Sequence, residues 1–303
     1  PGPTIRSSGT RVKCITRSTL ATEFIGTPGN QYGFDNTVTP HWISTEANTS
    51  KTTHPSLIVQ PSSRAGEVTL SAADSGKISV APGQVAQSPQ PIDLASKIST
   101  KDISSIYAYW PQFSDVYPYN KLHVAIYPMR YMTVACHIID APGLTPTSNP
   151  GTQSLSQNLN TIWCQAVVSV SVKPVVTDTV NYDLNGNGKL DLVDNEELAI
   201  INAARDPTAQ INVYIVKAFA ALPDGSVPWG YRRGTGTDIF VRDGYLSNTI
   251  AHEIGHVLGL GHPTPSGDGP TMAQQLRQVM YGEPTDTGTG TLLVKTEWDA
   301  VHP

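Results

Sequence analysis

The segment Ala251-His252-Glu253-Ile254-Gly255-His256-Val257-Leu258-Gly259-Leu260-Gly261-His262 holds three of the chain's eight histidines within eleven positions. From the abundance of His, Glu and Gly in this chain, the spacing has a chance of about 1 in 10⁵ of arising at random, so it calls for a chemical reason. His252 and His256 stand at i and i+4, about 40° apart around a helix, so both imidazoles leave one face and can meet one metal ion. Glu253 is one step round that helix, beside the metal rather than on it, where a general base must sit to take a proton from an attacking water. A third ligand has to come from outside this turn. Gly259 tolerates positive φ, so the helix can stop there and the chain can double back to bring His262 under the metal. Three neutral nitrogens leave a fourth tetrahedral position open, the mark of a catalytic rather than a structural zinc site.

The helix carrying these residues is expected to start near Ser247 or Asn248, directly after a strand at Asp238 to Val241 that ends in Arg242-Asp243-Gly244. Upstream, Leu122 to Ile126 and Met132 to Ile139 read as buried strands. Ser154 to Trp163 is a helix with Leu155, Leu159, Ile162 and Trp163 on one face. Strands at Ala166 to Val172 and Ile211 to Val216 enclose a helix at Asn195 to Ala204, and Leu292 to Val301 reads as a closing helix. That order predicts a sheet with helices packed on it, an α/β layer architecture.

The pattern His252-Glu253-x-x-His256-x-x-Gly259-x-x-His262, followed by Val279-Met280-Tyr281-Gly282, resembles the metzincin clan of zinc endopeptidases over residues 119 to 302. The resemblance implies an α/β (α+β) fold, with a mixed sheet and active-site helix above a cleft and a lower subdomain below it. It implies His252, His256 and His262 as zinc ligands, Glu253 as general base, and Met280 as the residue of the turn beneath the zinc. The Met-Tyr-Gly sequence is closest to the matrixin turn, and Gly282 stands where other members place an additional tyrosine ligand, so none is expected. Pro263 after His262 is as in serralysins, and the interval of 18 positions to Met280 is longer than in matrixins; Met272 is a rival for the turn residue. The Trp229-Gly230-Tyr231 stretch is a candidate for the cleft edge.

A second cation is suggested by Asp183-Leu184-Asn185-Gly186-Asn187-Gly188-Lys189-Leu190-Asp191-Leu192-Val193-Asp194, which fits a twelve-residue calcium loop with Asp in place of Glu at the last position. Asp183, Asn185, Asn187, Asp191 and Asp194, with the backbone carbonyl of Lys189, are the candidate ligands of a structural calcium. The segment resembles dockerin-type loops in its final Asp. Its plainer reading is a solvated Asx/Gly hairpin. His41, His54, His123, His137 and His302 have no ligand-like spacing, and Cys14 lacks the flanking residues of a zinc-capping propeptide cysteine.

Residues 1 to 117 read differently. Short β-prone runs at Ser56-Leu57-Ile58-Val59, Glu67-Val68-Thr69-Leu70 and Lys77-Ile78-Ser79-Val80 recur about every ten residues between Pro/Ser/Gly turns, which predicts a β-rich, sandwich-like accessory domain. Its one candidate helix is Ile92 to Ile103. The second domain, 118 to 303, would be the zinc protease, with the calcium loop at 183–194 as an insertion. Of the 303 residues 39% are apolar and only 15% charged, with 25 Gly and 24 Pro, which excludes coiled coils and long helical bundles. A net charge of −5 with scattered Lys and Arg disfavours nucleic acid, and the most apolar stretch, Leu122 to Ile139, is broken by Pro128 and Arg130, so no membrane span is expected. The opening Pro1-Gly2-Pro3 suggests that a leader has been removed or the chain trimmed, in keeping with a secreted or extracellular protein. Three cysteines are too few for a disulfide scaffold, though Cys136 and Cys164 are placed to pair and leave Cys14 free. The expectation is a secreted, monomeric zinc-dependent endopeptidase acting on a protein or peptide substrate. The alternative is a β-sandwich adhesion or binding protein whose protease-like domain does not cut; the intact Glu253 favours the enzyme, because a binding site has no need of a base.

Overall fold

The computed structural model describes residues 21–26, 33–47, 53–60, 62–111, 120–244, 248–263, 277–281 and 290–303. Cys14, Ser247, Met272, Gly282 and the expected boundary at 117/118 lie outside the described residues. The first part is β-rich. Its strands are β1 (Ala21–Ile25), β2 (Phe34–Asp35), β3 (Trp42–Glu46), β4 (Ser56–Gln60), β5 (Thr69–Ala72), β6 (Ile78–Ala81), β7 (Gln90–Pro91), β8 (Asp93–Ser96), β9 (Asp102–Tyr109) and β10 (Asn120–Tyr127). They form a sheet β1-β4-β7, a sheet β2-β3-β10-β9-β5 and a pair β6-β8, gathered around a core that includes Phe24, Ile43, Leu57, Ile78, Leu94, Ile106 and Val124.

One expectation is corrected here. The helix expected at Ile92 to Ile103 is instead β8 and the start of β9: Ile92, Leu94 and Ser96 are buried at intervals of two, a strand period, and Pro91 precedes them. The strand expected at 122–126 is part of β10, which pairs with β9 and, in parallel, with β3 over His123↔Trp42 to Tyr127↔Glu46, so it lies in the five-stranded sheet.

The second part is built on a six-stranded sheet. Its elements are β11 (Arg130–Asp140), α1 (Thr152–Trp163), β12 (Val168–Val172), β13 (Val176–Thr179), α2 (Glu197–Ala204), β14 (Ile211–Val216), β15 (Gly230–Arg232), β16 (Asp238–Arg242), α3 (Thr249–Val257) and α4 (Lys295–Val301). The order is β12-β11-β14-β16-β15, with β13 pairing the far half of β11; all neighbours run parallel except β15, which is antiparallel to β16. Every residue of β14 is buried, because helices cover both faces. Ile211, Val213 and Ile215 meet α1, α3 and α4, while Tyr214 and Val216 meet α2. Leu155, Leu159, Ile162 and Trp163 of α1 face the sheet as their spacing requires, each fully buried side chain being worth about 1.5–3 kcal/mol.

The helix α4 ties the two parts together. The Lys295 amide donates to Asp35 Oδ2 at 2.9 Å, the Tyr127 hydroxyl donates to Asp299 Oδ1 at 2.9 Å, and the Lys295 ammonium lies 4.7 Å from the centre of the Trp42 ring. Cys136 and Cys164 are both free thiols, contrary to the expected bridge. Cys136 points from β11 into the core, whereas the Cys164 thiol turns back along α1 to the Thr161 carbonyl. Burial pushes both thiols up, Cys136 to about 12 and Cys164 to about 11, so neither is a ready thiolate. No helix among the described residues is long and apolar enough to cross a membrane.

Candidate metal centre and cleft

The helix α3 runs from Thr249 to Val257 with Asn248 as its N-terminal neighbour, and Ile250, Ala251 and Ile254 bury one face against the sheet. Asn248 anchors the start by donating from its side-chain amide to the Gly290 carbonyl at 2.9 Å. The end is a Schellman turn. Gly259 adopts φ 90°, its N–H bonds the His256 carbonyl at 3.1 Å, and the Leu260 N–H reaches the Gly255 carbonyl at 2.9 Å. A side chain with a Cβ is strained at that φ, which is the reason for glycine there. The reversed chain then delivers His262 to the face already carrying His252 and His256.

The three imidazoles converge. His262 Nε2 lies 3.2 Å from His252 Nε2 and 3.1 Å from His256 Nε2. Nitrogens about 2.0–2.1 Å from a common zinc and in tetrahedral arrangement stand roughly 3.3–3.4 Å apart, so the observed edges fit that ion. The chemistry of the donors agrees. His252 Nδ1 faces the Val279 carbonyl at 2.8 Å and His256 Nδ1 the Leu260 carbonyl at 2.9 Å. Each carbonyl can only accept, so each Nδ1 carries the proton and each Nε2 presents a lone pair. One N–H from His262 cannot satisfy both of those lone pairs well, whereas a cation would satisfy them together. Burial lowers the pKa of His252 to about 4 and lowers that of His256, keeping both in the neutral form a metal requires.

Glu253 is 6% exposed and lies beside the triad, not in it. Burial pushes its carboxyl up to about 7, against a downward pull from the Arg232 guanidinium. A carboxylate with that affinity for protons is matched to general-base work near neutrality. Met280 is fully buried and packs against Gly255 in the middle of α3: a Cβ at that glycine would overlap Met280 Sδ and lie 3.0 Å from its Cε. Met280 thus supports the helix turn between the two histidines from below, and Val279, its neighbour, supplies the carbonyl that orients His252.

These side chains open into a cleft of about 500 Å³. Trp229, Gly230 and Tyr231 line it as expected, and Arg232, Thr249 and Tyr281 join them. Arg232 donates to the His256 carbonyl. Arg232 carries no spacing signal in the sequence. The antiparallel turn of β15 onto β16 brings it to the helix.

The loop at 183–194 is held differently from a three-carboxylate cage. Among the described residues, the histidine triad is the one group of three or more His, Cys, Asp or Glu that could hold a metal ion, so Asp183, Asp191 and Asp194 do not converge in that way. Asp183 accepts from the Asn187 and Gly188 amides at 2.8 and 2.9 Å, Asn187 from the Lys189 amide at 2.9 Å, and Asn185 from the Asn187 amide at 3.1 Å. Glu196, which sequence reasoning did not single out, is 1% exposed and accepts from the Leu184, Asn185 and Asp191 amides, clamping the loop from within. The remaining histidines stay apart from the triad: His54 pairs with Asp93, His137 with Asp178, His123 stacks on Trp42 and His302 on Tyr127, and His41 faces the Val38 carbonyl.

No protein-family model matches the chain, and no curated protein matches it. Among solved structures it is similar to an archaemetzincin from Methanopyrus kandleri, at 14% identity and a TM-score of 0.40, over 57% of this chain and 94% of the other. It is also similar to a zinc-dependent peptidase from Methanocorpusculum labreanum, at 12% identity and a TM-score of 0.37, over 55% of this chain and 99% of that one. An archaemetzincin from Archaeoglobus fulgidus complexed with malonate is similar at 14% identity and a TM-score of 0.35, over 56% and 99%. Likeness at these values adds no weight to the geometry, and the chemistry of the site rests on its own residues.

Proposed function

We propose that this chain is a zinc-dependent peptidase of metzincin type that hydrolyses internal peptide bonds in protein or peptide substrates. The observation that carries the reading is the convergence of three imidazoles, with His262 Nε2 at 3.2 Å from His252 Nε2 and 3.1 Å from His256 Nε2, and with Glu253 beside them in one cleft. Zinc held there supplies Lewis acidity toward a carbonyl oxygen and a water molecule. Glu253 takes the proton of the attacking water and returns it to the leaving amine. Among the described residues β15 is the edge strand of its sheet and flanks the cleft, which suits an extended substrate running past Glu253. Calcium at 183–194 belongs to the same proposal as a structural ion. Its support is the row of side-chain oxygens at Asp183, Asn185, Asn187, Asp191 and Asp194 with the Lys189 carbonyl.

The test is cleavage of a denatured protein by the purified chain, abolished by a chelator and restored by zinc. Stoichiometric zinc binding without any cleavage would favour the non-cutting, adhesive alternative.

A further inference from the structure

Resting on the peptidase reading, we propose that the edge strand β15 positions the base, with Gly230 as the positioning residue that sets where the Glu253 carboxylate lies. Gly230 faces α3 so closely that a Cβ built on it would stand 2.7 Å from Glu253 Oε1, 2.8 Å from Glu253 Cγ and 3.0 Å from Thr249 Cγ2. The carboxylate therefore rests on the bare backbone of the strand. Non-bonded heavy atoms settle at about 3.5–4.0 Å, so any side chain at 230 would drive the carboxylate aside by roughly 0.5–1 Å.

The strand is fixed well enough to act as a seat. Gly230, Tyr231 and Arg232 pair with Val241, Phe240 and Ile239 of β16. Successive residues alternate faces, so Gly230 and Arg232 turn to α3 while Tyr231 packs on the opposite side against the Tyr214 and Phe240 cluster. Arg232 donates to the His256 carbonyl, which ties the strand to the ligand-bearing helix one turn beyond Glu253. Arg233 Nε donates to Glu197 Oε1 at 3.0 Å, and Glu197 is a buried carboxylate at the start of α2. The seat is thus anchored to the sheet on one side, to α3 on another and to α2 at its end. A misplacement of about 1 Å at a reacting group costs on the order of 10²-fold in rate, so the seat has kinetic weight.

The experiment compares the parent, Gly230→Ala, Glu253→Ala and the double variant. In the metal-free proteins, Gly230→Ala should lower the melting temperature of the parent by about 3–6 °C and have less than half that effect in the Glu253→Ala background, where no carboxylate is left to displace. With zinc bound and a peptide substrate, Gly230→Ala should reduce kcat about 10–100-fold with KM within about threefold and about one zinc retained per chain. A generalised folding defect would lower the melting temperature equally in both backgrounds, and that outcome overturns the proposal, as does a kcat within twofold of the parent. Coupled melting with no hydrolysis by the parent would uphold the seat and sink the peptidase reading instead.

Discussion

Replacing Glu253 by Gln separates the base from the ligands more cleanly than any truncation, because Gln keeps the volume that rests on Gly230 and changes only the capacity to take a proton. Truncation to Ala would empty a buried position that is 6% exposed and blur chemistry with packing. The three nitrogens that fit the metal belong to His252, His256 and His262, so Glu253→Gln should retain about one zinc per chain and melt no lower than the parent in the metal-free state. Loss of a general base alone is worth about 10²–10⁴-fold, or roughly 2.7–5.4 kcal/mol of transition-state stabilisation. The orientation of the attacking water goes with it, so kcat should fall by at least 10³-fold. His256→Ala is the counterpart: it removes one of three ligands and should lose zinc together with activity. The assay is kcat on a quenched-fluorescent peptide, with metal content measured on the same preparations. Near-normal hydrolysis by Glu253→Gln, or loss of zinc from it, would refute the division of roles between carboxylate and imidazoles.

Three further outcomes follow from the packing and the charges. Gly255→Ala should lower the melting temperature by about 2–6 °C, because an added Cβ overlapping Met280 Sδ overpacks the site at a cost of about 2–3 kcal/mol while helix propensity returns about 1; the fall should vanish when Met280 is also replaced by Ala, and a fall of equal size there would show that Met280 is not the obstacle. Glu297, whose carboxylate accepts the Val294 amide at the start of α4, is pushed by burial from 4.5 to about 7, with Asp35 adding to the rise. A raised pKa in the fold gives stability below the unfolded value that is lost as pH rises through 7, at most about 3 kcal/mol, so Glu297→Gln should flatten the decline in melting temperature between pH 5 and 8; an unchanged slope would count against it. Millimolar calcium should raise the melting temperature of the parent and leave Asp183→Ala unmoved, whereas an equal shift in both would mean that Glu196 holds the loop without a cation at that aspartate.

The elements that carry a strong local period were legible from residue types. The face of α1, the short apolar run of β16, the start of α3 beside Asn248 and its stop at Gly259 all lie where the residue types put them, because each is decided within a few residues. What escaped was decided at a distance. The sheet to which residues 122–126 belong depends on pairing His123 with Trp42, some eighty positions away, and nothing in a buried alternating run names its partner. The strand β15 has only three residues, too few for a period to register, and its place at the sheet edge comes from hydrogen bonds to β16. Cys136 and Cys164 looked pairable because a strand precedes a helix that packs on it, but packing two elements does not aim two side chains at each other.

The metal site shows the same boundary at finer scale. Its ligands and base are side chains, and side chains with rare chemistry at fixed spacing can be read. Its orienting groups are backbone atoms: the carbonyls of Val279 and Leu260 hold His252 and His256 in the tautomer that frees Nε2, and every residue type offers a carbonyl. No single side-chain replacement at 279 or 260 deletes those acceptors, so the orientation can be altered only by moving the segments that carry them. Two positions control such movement. Gly255 sets how closely Met280 and its neighbour Val279 approach α3, and Gly230 sets how closely β15 approaches Glu253. At both positions the informative feature is a missing atom, which composition and periodicity do not weigh and which becomes visible only when the opposing surface is in place. Variation at 255 should therefore act on the His252 side of the metal and variation at 230 on the base, although neither residue touches the substrate or the ion through a side chain of its own.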